Sequence, residues 1–234
     1  MFSVSKEKTR GFTLLELLIV IAIIAILSVI LILVLNPAET LKKSRDVQRM
    51  SDLNTLKTAI GLILTSSSTP YLSAGNSTCL SGSGSTGVIY YSSNEADVNC
   101  AGSNPNEGTD TGATFAADPC KTGTTPTLVD GTGWLPVVFS WLLGGSPISN
   151  LPLDPINTTI NTTPTNADLV YRYACQSSGA TGKPSYVFEL NAILESDAFK
   201  PSGDDDKSAK DGGDNAAYYE VGTSLRLIGT GTNF

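Results

Sequence analysis

Seven carboxylates fall within one stretch near the C-terminus: Glu195, Asp197, Asp204, Asp205, Asp206, Asp211 and Asp214. Hard oxygens gathered on one loop suit Ca2+, and Gly212-Gly213 offers a tight turn beside them. The spacing is not that of an EF-hand, because no glycine takes the sixth place of a suitable Asp-x-Asp-x-Asp run. A solvated acidic loop interspersed with Lys207 and Lys210 has the same composition. Ca2+ held among Asp204, Asp205, Asp206, Asp211 and Asp214 is one expectation, and the solvated loop is the other.

Other chemistry is restricted by what the chain lacks. There is no histidine, which removes the commonest general base and the commonest metal ligand. No nucleophile motif or cofactor loop is present, so only carboxylate chemistry of the glycosidase kind is left to an enzyme reading. The four cysteines, Cys79, Cys100, Cys120 and Cys175, are spaced too widely for a zinc or CxxC pattern. Their even number favours disulfides outside the cytosol. Three pairings exist, and Cys79–Cys100 with Cys120–Cys175 is preferred because the first would staple the most loop-like stretch.

The elements that must carry these residues begin with RGFTLLELLIVIAIIAIL, Arg10 to Leu27. From Phe12 to Leu35 the only charged residue is Glu16. As a helix this run is about 36 Å long, enough for a hydrocarbon core of roughly 30 Å. A carboxylate inside such a helix costs roughly 2.5–3.5 kcal/mol at its centre and less near an end. A residue that costs so much needs a partner or a role. A cleaved secretory signal does not fit, because the run is too long and Asn36-Pro37-Ala38-Glu39 makes a poor cleavage site. Positive charges lie on both flanks and do not fix the direction of insertion.

Lys6, Lys8 and Arg10, then Gly11, then Phe12-Thr13-Leu14-Leu15-Glu16 and an unbroken apolar helix resemble the class III signal of type IV pilins and pseudopilins over residues 6–35. The resemblance implies that a prepilin peptidase cuts after Gly11 and methylates the new N-terminus at Phe12. It implies a leader inside the cell and a head outside. It also implies a role for Glu16, whose carboxylate would pair with the Phe12 ammonium of a neighbouring subunit during assembly. A buried ion pair roughly breaks even, whereas a lone buried charge is costly, so the pair acts as a register device. An assembly ATPase and a membrane platform protein would move each subunit into a homopolymer, or a copolymer with other pilins.

Pro37 predicts a helix kink, since it lacks a donor and clashes with the carbonyl of Leu33. Beyond it Leu41, Met50, Leu53, Leu56, Ile60 and Leu64 recur at helical spacing, with Lys42, Lys43, Arg45 and Arg49 on the polar side. The helix should stop at Thr65–Pro70. Residues 66–133 read as a loop-rich insertion with one β-branched and aromatic run, Val88–Tyr91. Strands are expected at 134–139, at Leu169–Cys175, at Tyr186–Leu194 and at Ser224–Ile228. The tryptophans favour core packing over a sugar-binding platform. The order Leu151-Pro152-Leu153-Asp154-Pro155, a Tyr-Arg-Tyr strand and a Tyr-Val-Phe-Glu-Leu strand resembles the sheet region of pseudopilins and Gram-positive-type pilins over residues 151–195. Major pseudopilins also carry a calcium site in a C-terminal loop of similar composition to the acidic one here.

The expected fold is therefore α+β: a long N-terminal α-helix, membrane half plus amphipathic half, packed on a small antiparallel β-sheet head. The expected segments are a leader at 1–11, an assembly helix at 12–36, its amphipathic continuation at 37–65 and an extracytoplasmic head at 66–234. That head holds seven basic and seventeen acidic residues, which disfavours broad nucleic-acid binding. Sequons at Asn76, Asn157 and Asn161 allow glycosylation. The function expected is a structural subunit of a type IV pilus or pilus-like filament. A secretion or competence pseudopilin and a non-polymerising anchored binding module are the alternatives, and an enzyme is the weakest reading.

Overall fold

The apolar run forms helix α1, Leu14–Leu35, and its described side chains are all exposed. A helix apolar on every side has no soluble way to bury itself, and it is long and apolar enough to cross a membrane. It ends at Leu35. Asn36 follows in the left-handed region, at φ 38° and ψ 72°, which asparagine tolerates better than most residues. The second helix, α2, opens at Pro37 and runs to Ser66. At a first helical position the missing proline donor costs nothing. Asn36 also serves the new helix, its carbonyl accepting from the Glu39 and Thr40 N–H groups at 3.1 and 3.2 Å.

The computed structural model describes residues 11–73, 76, 79–81, 86–87, 89–92, 114–115, 125–157, 168–178 and 185–228. The chain divides into two units, Met1–Leu41 and Lys42–Phe234. In the second, α2 buries Leu53, Leu56, Ile60 and Ile63. Their spacing of three and four residues puts them on one stripe, each worth about 1.5–3 kcal/mol when fully buried.

That stripe packs into the same core as one face of a sheet. Its strands are β1 (Leu80–Ser81), β3 (Tyr90–Tyr91), β5 (Tyr171–Ser178), β6 (Val187–Ala192) and β7 (Tyr219–Gly222), with β2 (Thr86–Gly87) and β4 (Thr114–Phe115) forming a separate parallel pair. The order is β1-β5-β6-β7, and β3 also pairs with β5. All these pairings are antiparallel except β1 on β5, so the expected α+β fold holds with one parallel edge. Strand periodicity sorts the side chains. Tyr171, Tyr173, Cys175, Phe188, Leu190 and Ala192 face the α2 core. Val187, Ala174, Tyr218, Leu227 and Ile228 form a second cluster. The sheet is thus buried on both faces.

Four sequence expectations are corrected. Cys79 pairs with Cys175 across 96 residues; it does not pair with Cys100. The cause is sheet register: Leu80 of β1 lies opposite Gln176 of β5, which sets the two preceding cysteines side by side. Cys100 and Cys120 lie outside the described residues. Residues 134–139 form no strand. The Trp134 and Phe139 N–H groups donate to Pro126 and Val129 carbonyls, and a 3₁₀ turn starts at Phe139. Ser224–Ile228 is not a strand either, and the last described strand is β7. Finally, Arg49 does not lie on a solvated polar side; it is wholly buried.

Candidate functional site

Gly11, Phe12 and Glu16 lie at the start of α1, and the geometry there is specific. Thr13 has an extended backbone, at φ −80° and ψ 148°, and is the N-cap. Its backbone N–H and its hydroxyl donate to Glu16 Oε2 at 3.0 and 2.9 Å, and its Oγ1 accepts from the Glu16 N–H at 3.2 Å. This is a reciprocal capping box. It satisfies backbone donors that a helix N-terminus otherwise leaves orphaned. The Thr13-x-x-Glu16 spacing was visible in the sequence, and reading Glu16 only as an intermolecular partner missed it. Both hydrogen bonds to the carboxylate land on Oε2. Phe12 is 84% exposed, and a Cβ added at Gly11 would meet nothing within 4 Å. Among the described residues, no neighbour requires glycine at that position.

In the head, charges meet where sequence reasoning expected none. The Arg49 guanidinium holds Asp154 with two hydrogen bonds, at 2.6 and 3.0 Å, and reaches Asp46 and Glu195 at 2.8 Å each. Arg45 grips Glu195 at 2.6 and 2.8 Å. The Asp46 carboxylate also accepts the Glu195 and Ser196 N–H groups, and Asp154 accepts those of Ile156 and Asn157. Burial works against the Arg49 charge, but Asp154 first, then Glu195 and Asp46, outweigh it and hold the guanidinium firmly protonated. The Arg45 hydrogen bonds pull the Glu195 carboxyl below its ordinary value. The network ties α2 to the Leu-Pro-Leu-Asp-Pro turn and to the chain after β6. Its role is positional.

On the sheet's other face two carboxyls meet. Glu189 of β6 lies opposite Gly222, and Asn191 lies opposite Glu220 of β7, so the two glutamates are diagonal neighbours on one face. Glu189 Oε1 and Glu220 Oε1 are each buried with no hydrogen-bond partner, and one proton shared between the two carboxyls would satisfy both. Glu189 Oε2 also accepts from Leu227 and Ile228 N–H at 2.8 and 3.0 Å. Those two bonds explain why the final apolar segment is not a strand: its donors face a carboxyl instead of a ladder. Burial, foremost, pushes both carboxyls up, Glu220 to about 10.

The acidic loop does not bring the expected calcium ligands together. Among the described residues, no group of three or more acidic or cysteine side chains is placed to hold a metal ion. Asp205 is instead paired with Lys207 and Lys210, at 2.5 and 2.6 Å. Asp206 accepts from Ser208 and from the Ser202 and Ala209 N–H groups. Asp211 accepts from the Gly213 and Glu220 N–H groups. The tryptophans divide: Trp134 is in the core, while Trp141 is exposed. Two sequon amides are in use, Asn76 Nδ2 on the Pro70 carbonyl and Asn157 Nδ2 on that of Ser92; Asn161 lies outside the described residues.

Comparison with known proteins gives one family match. The model for the prokaryotic N-terminal methylation motif matches residues 7–32. No curated protein and no solved structure matches the chain. The match covers the end of the leader and most of α1, and the chain therefore carries a prepilin-type signal.

Proposed function

We propose that this chain, which carries the class III prepilin signal of a type IV pilin-like protein, is the precursor of a structural subunit of a pilus-like filament. In this reading the peptidase cuts after Gly11 on the cytoplasmic side and methylates Phe12. The precursor waits in the membrane through residues 12–36, with the head outside. Assembly then moves the helix from lipid into a bundle of identical or related helices, driven by an ATPase and a platform protein. The activity is assembly and involves no catalysis.

The observation that carries the reading is the coincidence of the methylation motif with an apolar, exposed α1 that opens with the Thr13–Glu16 capping box. The open surroundings of Gly11 agree with it: a glycine that no described neighbour requires suits recognition by an outside enzyme. Glu16 keeps its capping bonds on Oε2 and offers its charge to the Phe12 ammonium of a neighbour. Each partner alone in an apolar bundle is costly, and the pair offsets that cost only in the correct register.

The test compares the producing cells with a strain lacking the prepilin peptidase. Sheared surface filaments from the first should contain the chain without its leader, and the second should retain full-length precursor in its membranes. Leader removal with confinement to membranes would instead identify a pseudopilin. An uncut leader in both strains would leave only an anchored head and overturn the proposal.

A further inference from the structure

We propose that the loop Trp141-Leu142-Leu143 is a contact between the head and a second copy of this chain in the filament. The proposal rests on the filament reading and names the head surface that serves it. Trp141 is 68% exposed and Leu143 is fully so. The Tyr71 ring stands edge-on to Trp141 at 5.7 Å. Between them and the end of α2 lies a cleft of about 320 Å³, lined among others by Ile63, Pro70 and Leu142. Two glycines with positive φ, Gly144 at 100° and Gly145 at 87°, turn the chain directly after Leu143. This presents the leucine at a tip.

Charge selects the occupant. The head carries seventeen acidic against seven basic residues, so two copies repel over most of their surfaces. The residues that line the cleft and its tip fall within 63–71 and 138–143, and the sequence holds no charged residue from 58 to 94 or from 131 to 153. This is where two equally acidic bodies approach without pairing like charges. Area explains why the contact belongs to the polymer. A patch of this kind covers on the order of 300–600 Å², short of the roughly 800 Å² per partner that a free-standing complex needs. Helices packed in one bundle hold neighbouring heads at about millimolar effective concentration, and there a small apolar contact suffices.

The test uses the full chain in its producer. Leu143→Asp should leave leader removal and membrane abundance unchanged while cutting recovery in sheared filaments at least tenfold. A photo-crosslinking benzophenone amino acid at position 143 should yield an adduct between two copies in filaments and none in the unassembled membrane pool. Wild-type recovery of the Leu143→Asp variant would overturn the contact, as would crosslinks to a glycan or to another protein only. Wild-type filaments with no adduct overturn this contact alone. Absence of the wild-type chain from filaments overturns both readings.

Discussion

Arg49 and Asp154, 105 residues apart, hold each other through two hydrogen bonds with both side chains wholly buried. Such a fork-on-fork contact fixes orientation as well as distance. Replacing a buried pair by well-packed apolar residues is often neutral, whereas removing one partner leaves a charge stranded. Arg49→Met should therefore destabilise the head by about 3–5 kcal/mol. Arg49→Lys, which keeps charge but not the fork, should fall in between. Urea unfolding of the detergent-solubilised chain, followed by tryptophan fluorescence, measures both. A loss below about 1 kcal/mol for Arg49→Met would show that the network merely decorates the fold.

The Glu189–Glu220 pair sets a pH dependence. Burial is the main cause that raises both carboxyls; the charge of Asp214 adds to it at Glu189, and those of Glu189 and Asp211 at Glu220, which is pushed to about 10. The folded head keeps a proton that the unfolded chain releases near the ordinary value of 4.5. Its stabilising contribution is complete below that value and is lost as pH rises towards about 10. The slope reaches about 1.4 kcal/mol per pH unit while one proton is retained. Glu195 runs the other way, its contribution vanishing as pH falls through its lowered value. Melting temperature should thus decline from mildly acidic to alkaline pH, and Glu220→Gln should flatten that decline. An unchanged slope in the variant would contradict the shared proton.

The disulfide has a direct signature. A digest made without reduction should contain one peptide joining Cys79 to Cys175, and a Cys79–Cys100 peptide would contradict the register described for β1 and β5. Cys79→Ala should cost about 2–5 kcal/mol, since the link closes a long loop.

Much of this was legible because it is local. The apolar run, the three-and-four spacing of Leu53, Leu56 and Ile60, and the tyrosines of β5 each announce their element by periodicity, although Ile63 and not Leu64 is the buried residue of the last turn. Gly11, Phe12 and Glu16 announce a signal by type and spacing, and Thr13-x-x-Glu16 carried a capping box as well. What escaped was long-range. Cys79 meets Cys175, and Arg49 meets Asp154, only because the sheet register and the α2 packing bring them together. An arginine at a helical spacing that suits a polar face gives no local sign of the acids it will meet. Ser224–Ile228 has strand chemistry, but its donors are taken by Glu189.

Two roles of Glu16 can be separated. Glu16→Gln retains an acceptor for Thr13, so the capping box survives while the charge is gone. Processing and membrane level should stay normal, and filament recovery should fall at least tenfold. Thr13→Ala removes the cap at a cost of about 1 kcal/mol and should affect assembly only mildly. If Glu16→Gln assembles like the wild type, the register argument is wrong.

The central claim is that this chain is processed at Gly11 and built into a filament by its first helix. Mass spectrometry of sheared filaments tests it most directly. The account predicts a peptide that begins at N-methylated Phe12, in filaments and in quantity. An intact Met1–Gly11 leader on the chain, in cells that possess the peptidase, would contradict it.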